Sequence, residues 1–170
     1  MADDEDFDAF YDATNRRVLH QMYAMTGNLA DAQEVTQEAY ARAWQRWKHV
    51  SQAANPEAWI RTVAWRVAAS RWRKAKNSVT AFARHGTPDP APPPDPDHVA
   101  LVTALKELPE SQRRTIVLHH LVGMSVNDIA AETHASAGTV KARLSRGRAA
   151  LAALLTDTEA DITAGGDSHE

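Results

Sequence analysis

All five tryptophans of this 170-residue chain, Trp44, Trp47, Trp59, Trp65 and Trp72, lie between positions 44 and 72, interleaved with Arg61, Arg66 and Arg71 and followed by Arg73, Lys74 and Lys76. Bases stack on aromatic faces at about 1–3 kcal/mol each while cations meet the phosphates, so this mixture suits an unpaired nucleic-acid strand. Packing is the other use of tryptophan. Trp44, Trp47 and Trp59 are expected in a core, and Trp65 and Trp72 are open to either role. A second set, Ser136, Gly138, Thr139, Lys141, Ala142, Arg143, Ser145, Arg146 and Arg148, places small and basic side chains on one stretch of helix. Small residues let a backbone approach base edges, helix-start amides favour a phosphate, and a helix-turn-helix offers such a helix to the major groove.

Bond-making candidates are thinner. The chain has no cysteine, which excludes thiol nucleophiles, thiolate metal sites and disulfides. A metal-dependent hydrolase would have to use His119-His120 with His20, His85 or His134. Adjacent histidines on a helix point about 100° apart, and no His-x-x-x-His accompanies them. No catalytic residue, metal or cofactor is expected.

The elements that carry both sets read as helical, rich in Ala, Leu, Arg, Gln and Glu, with no alternating apolar run that would make a strand. Six of the eight prolines fall in 86–97, a stretch unable to continue a helix or enter a sheet interior. The expected fold is therefore all-α, with two small helical domains at 5–77 and 98–156, a Pro-rich acidic linker at 78–97 and a disordered acidic tail at 157–170. In the first domain Asn28 and Asp31 start a helix whose inward stripe is Val35, Ala39, Tyr40, Ala43, Trp44 and Trp47. Its other side, Glu34, Gln37, Glu38, Ala41 and Gln45, is a solvated face or a docking surface. After a loop at 48–54, Asn55-Pro56-Glu57 restarts a helix to about Lys76. Ile60, Val63, Ala64 and Val67 face inward there, and Arg61, Trp65, Ala68 and Trp72 line another side. In the second domain the expected helices are 99–108; 110–122, with Ile116, Val117 and Leu121 inward; a short one capped by Ser125; and 138–155, capped by Ser136, with Val140, Leu144, Leu151 and Leu155 inward.

Apolar residues make up 44% of the chain and mean hydropathy is −0.47, and no apolar run approaches the roughly 18 residues of a membrane span. The acidic start is unlike a secretory signal, so the cytoplasm is expected. Net charge is −3, which spread evenly would repel a polyanion. It is not spread evenly: 1–41 carries −7, 42–84 carries +9, 85–97 carries −3, 98–156 carries +3 and 157–170 carries −5. The two basic blocks coincide with the two candidate sets.

With these residues in order, the chain resembles the extracytoplasmic-function (ECF) sigma factors, two-domain members of the sigma-70 family of bacterial RNA polymerase, from about Asp6 to Leu155. The stretch from Asp31 to Trp44 looks like the family's region 2.2 helix. That resemblance implies docking on the beta-prime clamp helices through Asp31, Glu34, Gln37, Glu38 and Arg42. Asn55-Pro-Glu-Ala-Trp-Ile-Arg61 and the basic helix after it look like regions 2.3 and 2.4, which melt and read the −10 element. This implies −10 contacts from His49, Ser51, Gln52, Asn55, Arg61, Trp65, Arg66, Arg71, Trp72 and Arg73, with a flipped base held by the 48–54 loop. Leu108-Pro-Glu-Ser-Gln-Arg113 and Ser136-Ala-Gly-Thr-Val-Lys-Ala-Arg-Leu144 look like region 4, which reads the −35 element as duplex.

The implied partners are core polymerase, through the clamp helices and the beta flap, and promoter DNA, and the resemblance admits an anti-sigma factor as well. The free chain would be a monomer, and the acidic linker would either thread the polymerase channel, with Asp89, Asp95 and Asp97 standing in for phosphates, or serve as a solvated tether. Three departures stand out. Gln33-Glu-Val-Thr36 replaces the common Glu-Asp-Leu-Val, Arg66 and Ser70 replace Asn and Asp, and His134 sits where relatives often have a turn glycine. The rival function is an autonomous helix-turn-helix regulator with an N-terminal ligand or dimerisation domain. Against it stand a single reader helix and no heptad seam for a dimer.

Overall fold

A computed structural model describes residues 2–77 and 95–164, with side chains placed for 3–77 and 95–160. Every described element is helical, and the chain divides into two units with the boundary between Pro93 and Pro94. Among the described residues no helix is long and apolar enough to cross a membrane. Most of the linker, 78–94, and the last six residues lie outside the described residues.

The first unit consists of α1 (Ala2–Thr26), α2 (Leu29–Gln45), the single turn α3 (Trp47–Val50) and α4 (Pro56–Asn77). Asp3, Asp4 and Glu5 sit in the first turn of α1, where negative charge meets the positive end of the helix dipole. Gly27, with φ of 73°, ends that helix, and the Asn28 side chain accepts from Asp31 N at 3.1 Å to open α2. Val18 and Met22 of α1, Val35 and Ala39 of α2, Val50, and Ile60 and Ala64 of α4 are fully or almost fully buried together.

The two tryptophans that the α2 stripe places inward part company. Trp47 is buried, but on α3, within 5.2 Å of Phe7 and 5.1 Å of Phe10 (ring centroids). Trp44 is 45% exposed because α2 ends one residue later, its ring centroid 5.1 Å from that of Phe7. The loop at 48–54 likewise begins as the helical turn α3. Val63 is half-buried rather than a core residue.

Tyr40 is buried with its hydroxyl 2.7 Å from Thr14 Oγ1. Thr14 gives its one proton to the Phe10 carbonyl at 2.7 Å, so Tyr40 is the donor to Thr14. Burial pushes the Tyr40 phenol up to about 12 from 10.0. Below pH 10 both folded and unfolded chains hold this proton. Between about 10 and 12 only the unfolded chain loses it, so stability falls as pH rises, by about 2–3 kcal/mol in all. Urea denaturation followed by tryptophan fluorescence should show that loss, and Tyr40→Phe should flatten it. An unchanged slope in the variant would assign the alkaline loss to other groups.

The second unit consists of α5 (Pro96–Lys106), α6 (Glu110–Ile116) running into a π-helical turn (Val117–Leu121), α7 (Val126–Thr133) and α8 (Ala137–Ala164). Helix α5 starts inside the stretch assigned to the linker, because the Asp95 side chain caps Asp97 N at 2.9 Å and Pro96 takes the first helical position. The π turn, closed by Val122 N donating to the Val117 carbonyl at 3.0 Å, widens the helix and shifts its register. Leu118 consequently takes the interior place expected of Leu121, which is half-buried.

Val102, Leu105, Leu108, Ile116, Val117, Ile129, Val140 and Leu144 complete this core. Gly147 is also buried; a Cβ there would lie 2.8 Å from Ile116 Cγ1, so α8 and α6 meet through the missing side chain. Helix α8 continues to Ala164 instead of fraying after 156, with the Thr156 and Thr158 hydroxyls donating back to the Ala152 and Leu154 carbonyls. After Gly147 no glycine or proline falls in the chain before Gly165. Past Gly147 the helix outruns the core, which leaves Leu151 half-buried and Leu155 exposed rather than inward.

Candidate nucleic-acid interface

In the second unit the site is a turn and a helix start. Ser125 Oγ accepts from Asp128 N at 3.1 Å to open α7, and Ser136 Oγ accepts from Thr139 N at 3.1 Å to open α8. Between them His134 adopts φ 55° and ψ 39°, the left-handed conformation expected of glycine, while Ala135 N reaches the Ala130 carbonyl at 3.0 Å. The turn thus keeps its geometry at a modest steric cost. It leaves Ser136, Gly138, Thr139, Lys141, Ser145, Arg146 and Arg148 exposed, and Ala142 and Arg143 half-buried. A Cβ on Gly138 would meet only Ser136 Oγ at 3.9 Å. Nothing inside the protein needs that glycine, so the space it leaves is available to a partner.

Arg148 leans back toward the π turn, its Nε donating to His120 Nε2 at 3.0 Å. That bond requires a neutral imidazole. Partial burial, then the neighbouring Arg148 and His119, lower the His120 pKa and favour the neutral form. His119 Nδ1 contacts the Met124 carbonyl at 2.8 Å, so it carries the proton and donates. Both histidines of the hydrolase reading are therefore engaged in the fold. Among the described residues no group of three or more His, Asp or Glu could hold a metal.

In the first unit the structure divides the expected strand-contacting residues. Arg61 and Trp65 are 4% and 6% exposed, and Trp65 takes the edge of Trp72 at 5.5 Å. Helix α4 packs on both α1 and α2, so it buries two sides where a single stripe was expected. Arg61 and Trp65 belong to the core and offer no surface to a strand. Trp72 is half-buried; Arg66, Arg71 and Arg73 are exposed. His49, Ser51 and Gln52 are exposed on α3 and the turn after it, while Asn55 Oδ1 is used to cap Ala58 N at 3.0 Å.

A cavity of about 420 Å³ opens between α2 and α4, lined by Arg42, Gln45, Arg46, Trp59, Val63 and Arg66. No acidic side chain lines it. Of these residues, sequence reasoning had put Arg66 in a strand site, Arg42 and Gln45 on the polar face of α2, and Trp59 and Val63 in the core, where the structure leaves both half-buried, and had not singled out Arg46. The signal was present as two short helical patterns, Arg42-x-x-Gln45-Arg46 and Trp59-x-x-x-Val63-x-x-Arg66, each on one face of its helix. A neighbouring cleft of about 410 Å³ is bordered by Asp3, Asp4, Trp44, Gln45, Arg46, Trp47, Lys48 and His49.

The α2 face holds Asp31, Glu34, Gln37, Glu38 and Arg42, of which Gln37 and Arg42 are exposed and the three acids half-buried. Arg71 of α4 reaches across with Nη1 on Glu34 and Nη2 on Glu38, both at 2.9 Å, and Arg42 adds 2.5 Å to Glu38. Exposed pairs of this kind contribute about 0–1 kcal/mol each, so the network orders the face more than it stabilises the unit.

Fold and site define a bipartite helical DNA-recognition protein, with a helix-turn-helix in one unit and an arginine-rich, tryptophan-bearing cavity in the other. Residues 10–78 match the Sigma-70 region 2 family model and residues 98–151 the Sigma-70 region 4 model. The ECF RNA polymerase sigma factor SigL of Mycobacterium tuberculosis is 32% identical over 143 residues, 80% of this chain and 81% of that relative. The RNA polymerase sigma-E factor of Streptomyces coelicolor is 29% identical over 161 residues, 94% of this chain and 91% of the relative. Among solved structures, the sigma factor RpoE of Bartonella quintana, in complex with the anti-sigma factor NepR, superposes with a TM-score of 0.72 at 26% identity, covering 89% of this chain and 98% of that one. The chain belongs to the sigma-70 family, in its ECF group.

Proposed function

We propose that this sigma factor brings core RNA polymerase to promoters by holding the −35 duplex with the start of α8 and the opened −10 strand with the first unit. The observation that carries this reading is the pairing in one chain of an exposed helix start bearing small and basic side chains with a cation-lined cavity roomy enough for a base. Ser136, Gly138, Thr139, Lys141, Arg146 and Arg148 face the duplex. His49, Ser51, Gln52, Arg66, Trp72 and Arg73 follow the opened strand, and the cavity between α2 and α4 receives a flipped base. Unstacking a base costs a few kcal/mol, offset by stacking on an aromatic ring and by cations on the phosphates. The chain makes and breaks no bond in this role, as befits an initiation factor of the cytoplasm.

Core polymerase docks on the α2 face through Asp31, Glu34, Gln37, Glu38 and Arg42, and the second unit meets the beta flap. The NepR-bound relative supports an anti-sigma factor as a further partner. The direct test is transcription reconstituted with core polymerase on a genomic library: defined start sites are expected, and tight sequence-specific duplex binding by the chain alone would favour an autonomous regulator.

The docking face has its own test, because Glu38 and Arg71 are partners. If the carboxylates bind polymerase, Glu38→Gln should weaken core association about tenfold by removing a charged hydrogen bond. Arg71→Gln, which frees Glu34 and leaves Glu38 to Arg42 alone, should preserve or strengthen it. Equal losses in the two variants, measured by fluorescence anisotropy without DNA, would show that the network only ties α2 to α4.

A further inference from the structure

The cavity between α2 and α4 has a lining that discriminates among bases, an inference that rests on the proposed reading of this cavity as the seat of a flipped base. Arg42, Gln45 and Arg46 come from the last turn and C-cap of α2, and Trp59, Val63 and Arg66 from one face of α4. A guanidinium carries five N–H donors and no acceptor, and an indole is a donor only. Gln45 Oε1 is the one side-chain acceptor in the lining.

A base that enters therefore meets donors on nearly every polar side. Adenine and cytosine each carry an exocyclic amino group beside the ring acceptor that a guanidinium would take, where an unmatched desolvated donor opposes binding, whereas the amino group of guanine lies on the edge away from O6 and N7. Thymine offers two carbonyls separated by its own N–H, so one guanidinium cannot pair with both. Guanine presents O6 and N7 side by side, the pair that one guanidinium contacts bidentately.

The three arginines are not equivalent. Arg42 is held by Glu38 at 2.5 Å, and Arg46 also borders the cleft that contains Asp3 and Asp4. Arg66 is exposed, has no carboxylate partner among the described residues, and lies two turns along α4 from Trp59 on the same face. We propose that Arg66 reads O6 and N7 of a guanine stacked on Trp59, so that guanine is the base this cavity selects from the opened strand.

The test uses the full chain bound to core polymerase and forked duplexes whose unpaired strand is randomised over six positions, with bound and input pools sequenced. One position should be enriched in guanine about tenfold over adenine and cytosine, as a bidentate pair allows. Arg66→Ala should remove that preference at that position alone. The variant keeps its fold, since Arg66 is exposed and forms no hydrogen bond or ion pair among the described residues, and circular dichroism checks this. A different base at the Arg66-sensitive position, a guanine preference that survives Arg66→Ala, no preference anywhere, or weakening that is uniform over all sequences and so marks a phosphate contact, would each overturn the assignment with strand capture intact. A wild-type complex that holds forked probes no better than full duplex would instead remove the strand-capture reading itself.

Discussion

Replacing Lys141 or Arg146 by alanine is expected to lower the affinity of the polymerase-bound chain for its −35 duplex by about 1–3 kcal/mol, roughly 5- to 150-fold, if either side chain reads a base. Both are exposed on α8, and neither has a carboxylate partner among the described residues. Truncating them therefore removes no internal ion pair, and the shift in folding stability should stay within about 0.5 kcal/mol. The form of the loss separates two roles. A base contact relaxes the sequence preference at one position, whereas a phosphate contact weakens all sequences alike and reduces the salt slope by about 1. Arg148 is the internal control. Its guanidinium already donates to His120 Nε2, so Arg148→Ala should cost less than either of the others. Duplex binding measured against salt for the three variants decides the matter. No loss at either Lys141 or Arg146 would take the exposed face of α8 out of the interface.

Local chemistry carried the helix starts. Asn28, Asn55, Ser125 and Ser136 each cap the backbone N–H three residues on, at 3.0–3.1 Å, because a short side-chain oxygen followed by an apolar period has few other uses at a helix start. The reader face of α8 was legible for a related reason: over its first turns that helix packs on one side only, so small and basic residues on the other side face solvent.

Legibility ended where two elements act together. Periodicity reports one buried stripe, but α4 is covered by both α1 and α2, and the residues on its second side, Arg61 and Trp65, were assigned to a strand when they fill the core. The cavity needs Arg42 and Arg66, 24 positions apart, to meet across two helices, which no local pattern states. Trp44 lies outside the core expected for it because α2 stops at Gln45, and a helix end is uncertain by one or two residues when no glycine or proline marks it. The π turn moved Leu118 inward by adding a residue to one turn, which a 3.6-residue period does not anticipate.

Gly147→Val is expected to destabilise the second unit by about 3 kcal/mol, the upper range for overpacking a well-filled core. A glycine in the interior of α8 already forgoes roughly 0.5–1 kcal/mol of helix propensity, so its presence needs a packing reason. The contacts supply one. A Cβ at this position would lie 2.8 Å from Ile116 Cγ1, 3.1 Å from Ile116 Cδ1 and 3.5 Å from Leu108 Cδ2. Ile116 and Leu108 are themselves buried, and the nearest atom is a branch carbon rather than a side-chain tip, so the clash is relieved only by moving α6 away from α8. Valine adds two methyl groups to that conflict. For a unit of this size the loss corresponds to a fall in melting temperature on the order of 15 °C. The measurement can be confined to the right half of the chain, because all five tryptophans lie at positions 44–72. Tryptophan fluorescence then reports the first unit alone, while circular dichroism reports both. The variant should show an early dichroism transition with an unchanged fluorescence transition, together with weaker −35 binding if the start of α8 holds the duplex as proposed, since the packing that Gly147 permits fixes that helix. If both transitions kept their wild-type midpoints, α6 and α8 would not approach as closely as the core requires, and the placement of the reader helix would fail with them.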